Sequence, residues 1–174
     1  MSKIILYIAQ SLDGYISTKD GSVSWLDEFN NTGEDLGFND FIDGIDVDIQ
    51  GSKTYQQVLD FDIPYPYTGK SFVLTNRNDL EKPSGVDIEF YSGELANLVD
   101  KAKSVSKKNV WLIGGANVVQ QFLKESLIDE IILFTMPVVL GDGISLFNKT
   151  KLVKTKLINS NVYDSGIIMS HYKL

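Results

Sequence analysis

The sequence predicts an α/β fold on a largely parallel sheet. Three observations carry that expectation. Short apolar or alternating runs are interleaved with segments of helical spacing. One apolar run stops at the glycine pair Gly114-Gly115 directly before a helix-like pattern. The last two apolar runs are separated by a turn too short for a parallel crossover, so they form an antiparallel hairpin.

In chain order, "KIILYIA" (3–9) reads as the first strand and runs on to the turn dipeptide Asp13-Gly14. "DLGFNDFID" (35–43) has helical spacing and precedes the alternating strand pattern "IDVDIQG" (45–51). "KTYQQVLDF" (53–61) reads as a helix, "KSFVLT" (70–75) and "VDIEFY" (86–91) as strands, and "GELANLVDKAKSVS" (93–106) as a further helix. "NVWLIG" (109–114), "GANVVQQFLKES" (115–126) and "EIILFTMPVV" (130–139) make a strand, helix, strand unit with a right-handed crossover. "KLINSNVY" (156–163) and "GIIMSHYKL" (166–174), joined near Asp164-Ser165-Gly166, supply the terminal hairpin.

Composition narrows the function. A chain of 174 residues without a composition shift or a Pro/Gly/Ser-rich linker is read as one domain, residues 1–174, burying roughly 70% of its unfolded surface. The formal net charge of -7 disfavours a sequence-independent grip on nucleic acid or on an anionic membrane, since both need a basic face. Cysteine is absent, which removes disulfides, thiolate nucleophiles and sulfur-ligated zinc. His171 is the single histidine and sits in an alternating segment, so neither a His-rich metal site nor a Ser-His-Asp triad is expected. The first apolar run, Ile4 to Ala9, is too short for the core of a signal peptide, and nothing later approaches a membrane span; the cytoplasm is the expected compartment.

The glycine corner places a helix start above the carboxyl edge of the sheet. The first N–H groups of a helix lack partners within it and the helix dipole is positive there, so an anion is favoured where glycine leaves its approach clear. A tight strand-to-helix turn alone would also use Gly114-Gly115, and this segment does not separate the two readings. The full G-x-G-x-x-G fingerprint is missing, which argues against an ordinary Rossmann site.

Further segments, taken together with the glycine corner, produce a resemblance. "AQSLDGYIS", "GSKTY", "VLTNR", and "IGGANVVQQFL" followed by "MPVVLGDGISLF" occur in the order found in the dihydrofolate-reductase-like superfamily. Within it, the chain is similar to the branch containing the reductase domain of the riboflavin-biosynthesis deaminase-reductase, from Lys3 to about Phe147. The resemblance implies a three-layer fold with a mixed, mostly parallel central sheet flanked by helices. It implies an NADPH-dependent reductase that delivers hydride to a C=N or C=O of a small heterocycle, similar to 5-amino-6-(5-phosphoribosylamino)uracil reductase. A homodimer is implied as well, in keeping with an apolar hairpin at a sheet edge. Two alternatives stay open: a dihydrofolate reductase proper and a non-catalytic nucleotide-binding module.

Carried over by position, the resemblance assigns Ala9 and Ile16 to the nicotinamide carboxamide, which backbone N–H and C=O groups can hold by two hydrogen bonds. Gly51, Lys53 and Thr54 match positions at the cofactor phosphates, where a lysine charge, a hydroxyl and free helix N–H groups suit the task. Lys53 alone reads better as a solvated lysine on a capped helix. Thr75, Asn76 and Arg77 match the holders of the adenosine ribose and its 2′-phosphate, and Arg77 is the candidate for choosing NADPH over NADH. Ser52 stands where some relatives carry a second arginine. Gly114, Gly115, Ala116, Asn117 and Val118 match the segment that receives the pyrophosphate. Asp35 falls where folate-reducing relatives carry the acid that helps protonate substrate, though an Asp at a helix start is also an ordinary cap. Thr135 matches a hydroxyl that supports substrate. "TKDGSVSWLDEFNNTGEDLGF" reads as a lid-like loop in which Trp25 either closes over substrate or anchors the loop.

Overall fold

The computed structural model describes residues 2–29, 33–61, 63–67, 69–148 and 150–174; Asn30, Asn31 and Thr32 of the lid-like stretch lie outside the described residues. Among the described residues there are ten strands: β1 Ile4–Ser11, β2 Tyr15–Ser17, β3 Ile45–Gly51, β4 Lys70–Leu74, β5 Asp87–Tyr91, β6 Asn109–Gly114, β7 Glu130–Met136, β8 Ile144–Ser145, β9 Lys156–Val162 and β10 Ile168–Lys173. Four α-helices among the same residues join them: α1 Phe38–Asp43, α2 Ser52–Leu59, α3 Leu95–Val105 and α4 Ala116–Glu125. A 3-10 turn covers Ser24–Leu26.

The main sheet has the order β5-β4-β3-β6-β1-β7-β10-β9. Pairings from β5 through β7 are parallel, whereas β10 runs antiparallel to both β7 and β9. The expected mixed, mostly parallel sheet with a C-terminal antiparallel hairpin is therefore present. The crossover through α4 passes over β1, which lies between β6 and β7.

Alternation along β1 builds two layers. Ile4 and Leu6 face a core with Val47, Ile49, Val110 and Leu112, closed by Leu98 and Val99 of α3 and by Val119, Phe122 and Leu123 of α4. The buried positions of α4 recur at helical spacing, and Ser126 ends the helix in the left-handed conformation. Tyr7 and Ala9 face the other way, into a cluster with Phe134, Met136, Ile167, Trp25 and Leu26. On that same side Tyr55 of α2 packs on Val73 and Ile88, and Phe41 of α1 stacks on Tyr7 with ring centroids 4.2 Å apart.

Two elements are shorter than their sequence patterns. The helix expected from residue 35 begins at Phe38, because Leu36 and Gly37 take left-handed backbone angles that break the ladder. The strand expected to reach residue 139 stops at Met136, since Pro137 has no N–H to donate.

Under the segment that follows α2 the sheet carries a polar patch. Asp48 is 2% exposed and receives hydrogen bonds from Ser71 Oγ at 2.5 Å and Gln50 Nε2 at 3.3 Å. Tyr65, from the segment after α2, donates to Ser71 Oγ and accepts from Gln50 Nε2, which lays that segment over the patch.

Candidate functional site

A cleft of about 1320 Å³ runs along the carboxyl edge of the sheet, over β1, β6, β3, β4 and β5. Three helices begin on it, each directly after a strand or its turn: α2 after Gly51, α3 after Glu94 and α4 after Gly115. Neither α2 nor α4 has a side chain capping its first turn, and neither carries an acidic residue there. Their leading N–H groups are thus unanswered by a cap and no acidic side chain sits in the same turn, an arrangement suited to an anion.

The glycines make that meeting of helix heads possible. A β-carbon on Gly51 would lie 2.9 Å from Val118 Cγ2, so only glycine lets the two heads approach this closely. Gly114, whose peptide bond to Gly115 is cis, takes φ +118, a conformation that L side chains rarely adopt. Gly115 itself is extended, with φ -75 and ψ -163, and a β-carbon on it would stand 3.2 Å from Thr54 Oγ1.

The structure brings most of the residues carried over from the resemblance to this one cleft. Ala9 and Ile16 line one end, and Gly51, Lys53 and Thr54 the middle with Gly115, Ala116, Asn117 and Val118. Thr75, Asn76 and Arg77 line the far end. Gly114 lies just behind the lining and turns β6 into it. Val118 contributes differently from the expectation, because its N–H already donates to the Gly115 carbonyl at 3.0 Å; its side chain, packed toward Gly51, is what the cleft receives.

Arg77 is exposed, and its guanidinium forks onto Asp79, with Nε 2.9 Å from Oδ1 and Nη2 2.8 Å from Oδ2. Its own N–H donates to Thr75 Oγ1 at 2.9 Å, and the Thr75 N–H donates to the Tyr91 carbonyl at 2.9 Å. A phosphate arriving at Arg77 therefore competes with Asp79.

Asp35 and Thr135 are not brought to the cleft. Asp35 is exposed and accepts from Asn39 Nδ2 at 2.6 Å and Asn39 N at 3.4 Å, so its carboxylate is engaged with the first turn of α1, whose N-cap is Gly37. Thr135 alternates with Phe134 and Met136 on β7, so its side chain leaves the sheet on the face opposite Trp25 and Leu26. Trp25 packs among Phe134, Met136 and Tyr7 as an anchor of the lid, while Leu26 and residues 20–23 face the cleft. The lid is tied to α2 by Gln57 Nε2, which donates to the Gly21 carbonyl at 2.9 Å.

The lining also includes Tyr91, Ser92 and Gly93, which sequence reasoning did not single out. The signal was present, since "YSGEL" repeats the strand, glycine, helix pattern of "GSKTY" and "IGGAN".

A three-layer sandwich with this strand order and a cleft at the carboxyl edge defines a dihydrofolate-reductase-like fold. Dihydrofolate reductase from Enterococcus faecalis, solved in complex with NADP(H), superposes with a TM-score of 0.70 at 17% identity, over 98% of this chain and 95% of that one. The deaminase/5-amino-6-(5-phosphoribosylamino)uracil reductase of Thermotoga maritima gives 0.75 at 16% identity, over 99% of this chain and 56% of that one. Residues 66–169 match the RibD C-terminal domain, and the chain belongs to that family. The uncharacterized protein YwjB of Bacillus subtilis is 41% identical over 155 residues, 86% of this chain and 87% of YwjB. A candidate riboflavin biosynthesis protein from Shewanella sp. PV-4 has a TM-score of 0.87 at 31% identity, with 98% of each chain covered. The riboflavin biosynthesis protein RibD of Aquifex aeolicus is 26% identical over 172 residues, 82% of this chain but 48% of RibD.

Proposed function

We propose that the chain is an NADPH-dependent reductase, similar to 5-amino-6-(5-phosphoribosylamino)uracil reductase, that delivers hydride to a C=N or C=O carbon of a small heterocyclic substrate. The observation that carries the reading is the meeting of two uncapped, acid-free helix heads, α2 and α4, in one glycine-lined cleft. The cleft is long enough to have Arg77 at one end and the lid at the other. A dinucleotide needs those parts in that order: an anion cradle in the middle, a cation for the 2′-phosphate and a covered pocket for the nicotinamide.

In this reading the N–H groups of Gly115, Ala116 and Asn117, with the Thr54 hydroxyl and the Lys53 charge, hold the pyrophosphate. Thr75, Asn76 and Arg77 hold the adenosine end. Backbone groups of Ala9 and Ile16 fix the carboxamide and so select the ring face turned to substrate. Bound NADPH supplies the hydride, and the substrate's nitrogen or oxygen takes a proton as the bond to carbon is reduced. Because Asp35 and Thr135 lie off the cleft, neither is assigned a catalytic role, and the proton comes from water. That placement of Asp35 also weighs against a dihydrofolate reductase proper.

The protein is read as one domain, residues 1–174, working in the cytoplasm as a homodimer. Among the described residues no helix is long and apolar enough to cross a membrane.

Calorimetric titration with NADPH and NADH tests the reading, followed by an NADPH-oxidation screen with pyrimidine ribosylamines, dihydrofolate and simple carbonyls. Saturable NADPH binding and oxidation with a ribosylamine are expected. No NADPH binding at millimolar concentration overturns it, and binding without turnover of any substrate leaves a nucleotide-binding module.

A further inference from the structure

The geometry points to Asp13 as a positioning residue: its carboxylate latches the β1–β2 turn to the segment after β7 and so fixes the nicotinamide wall of the cleft. The inference rests on the cofactor reading above and adds the residue that holds Ile16 in place.

Asp13 Oδ1 accepts from Ser11 Oγ at 2.6 Å and from the Leu140 N–H at 3.1 Å, while Oδ2 accepts from the Gly141 N–H at 2.7 Å. Ser11, fully buried at the end of β1, accepts in turn from the Tyr15 N–H at 2.9 Å. One carboxylate thereby connects the end of β1, the start of β2 and the Leu140-Gly141 backbone. The Ser11 hydroxyl foremost, with those two N–H groups, holds the Asp13 carboxyl below its ordinary range, so it accepts as an anion.

The latch lies at the root of a small second sheet. Beyond it β2 pairs with β8, Leu12 N–H donates to the Val138 carbonyl at 2.7 Å, and Leu146 N–H donates to the Gly14 carbonyl at 3.1 Å. Lys19 pairs with Asp142. Gly143 fits so closely that a β-carbon there would lie 2.2 Å from the Ser17 carbonyl oxygen. Ile16, Ser17 and Ile144, all within this zipped pair of strands, line the cleft. Asp13 does not line it, so its influence on a bound cofactor passes through the backbone it holds.

A general loss of stability would weaken every ligand alike, whereas a loosened nicotinamide wall weakens only ligands that reach it. The test titrates NADPH and adenosine 2′,5′-bisphosphate, which reaches the far end and the phosphate cradle but not the nicotinamide wall, into wild type, Asp13→Ala and Asp13→Asn. Asp13→Ala is expected to raise the NADPH Kd on the order of tenfold or more, the scale of losing charge-assisted hydrogen bonds, and to leave the bisphosphate unchanged. Asp13→Asn is expected to fall between, since its one oxygen still accepts from Ser11 and Leu140. In the ligand-free Asp13→Ala protein, amide exchange at Tyr15, Leu140 and Gly141 is expected to quicken. Unchanged NADPH affinity, equal loss of both ligands or unchanged exchange would overturn the proposal. A wild type that binds neither ligand removes the cofactor reading itself, and the proposal with it.

Discussion

The hydroxyl of Thr54, on the first turn of α2, stands 3.2 Å from the point where a β-carbon on Gly115 would sit at the head of α4. The two helix heads face each other across a gap that a side chain on Gly115 would fill. Gly115→Val is therefore expected to abolish NADPH binding. Its backbone angles are ordinary, so the cost to stability comes from local crowding alone and should stay near 1 kcal/mol, a melting shift of about 4 °C for a chain of this size. Gly85→Ala, at a positive φ away from the cleft with open space around it, is the control: lower stability, unchanged binding. Titration and thermal unfolding of both variants separate a cofactor cradle from a mere turn.

Arg77 and Asp79 form a second testable pair. Because the Asp79 fork must yield to a 2′-phosphate, Asp79→Asn is expected to tighten NADPH binding without changing NADH binding. Arg77→Ala is expected to lower the preference for NADPH over NADH by roughly tenfold or more, the scale of a charge-assisted contact. Parallel titrations of both cofactors read each effect, and an unchanged preference in Arg77→Ala would remove it from this role.

Asp48 predicts an unusual pH dependence. Burial pushes its carboxyl up to about 7, against the opposing hydrogen bonds from Ser71 and Gln50. The folded protein then holds a proton that the unfolded chain releases near the ordinary value of 3.8. Its contribution to stability is present in full below the unfolded value and is lost as pH rises toward 7, by roughly 1 kcal/mol per pH unit. Depressed carboxyls such as Asp46 and Glu130 act in the opposite sense, so the difference between wild type and Asp48→Asn is the quantity to read. Urea unfolding from about pH 4 to pH 8 should show the variant gaining on wild type as pH rises; parallel curves would refute the assignment.

The proposed homodimer is expected to form along β9. This strand ends the sheet, and all seven of its residues are exposed, Leu157 and Ile158 at 51% each and Val162 at 78%. An apolar edge with free backbone groups favours pairing with a second copy. Sedimentation equilibrium is expected to give twice the 19.4 kDa chain mass, and Ile158→Lys to shift it toward one chain. A wild type that stays monomeric at high concentration would exclude the dimer.

Much of this was legible in the sequence, for identifiable reasons. Helix α4 carries apolar residues at helical spacing, and the terminal hairpin has two apolar runs around a short turn, so both could be read directly. Strands β2 and β8 have three and two residues, too few to carry a period, and they emerge only because the latched loops lie side by side. The glycines at 51, 114 and 115 marked the cleft because close approach and positive φ demand a missing side chain. Side-chain partnerships were not legible: nothing in "VLTNR" shows that Asp79 occupies Arg77, and nothing in "IDVDIQG" shows that Tyr65 closes over Asp48 and Gln50. The spacing of Asp35 from Gly51 matches that of an acid in folate-reducing relatives, whereas its side chain serves the start of α1.

Hydride transfer is the central claim, and isotope transfer tests it most directly. NADPH carrying deuterium at C4, in each of its two stereochemical forms, is incubated with the protein and 5-amino-6-(5-phosphoribosylamino)uracil, and the product is examined by mass spectrometry. Deuterium is expected in the product from one form only, on the carbon of the reduced bond, with the Gly115→Val protein inactive. A protein that binds NADPH yet passes no deuterium to this or any related C=N or C=O substrate would contradict the assignment as a reductase.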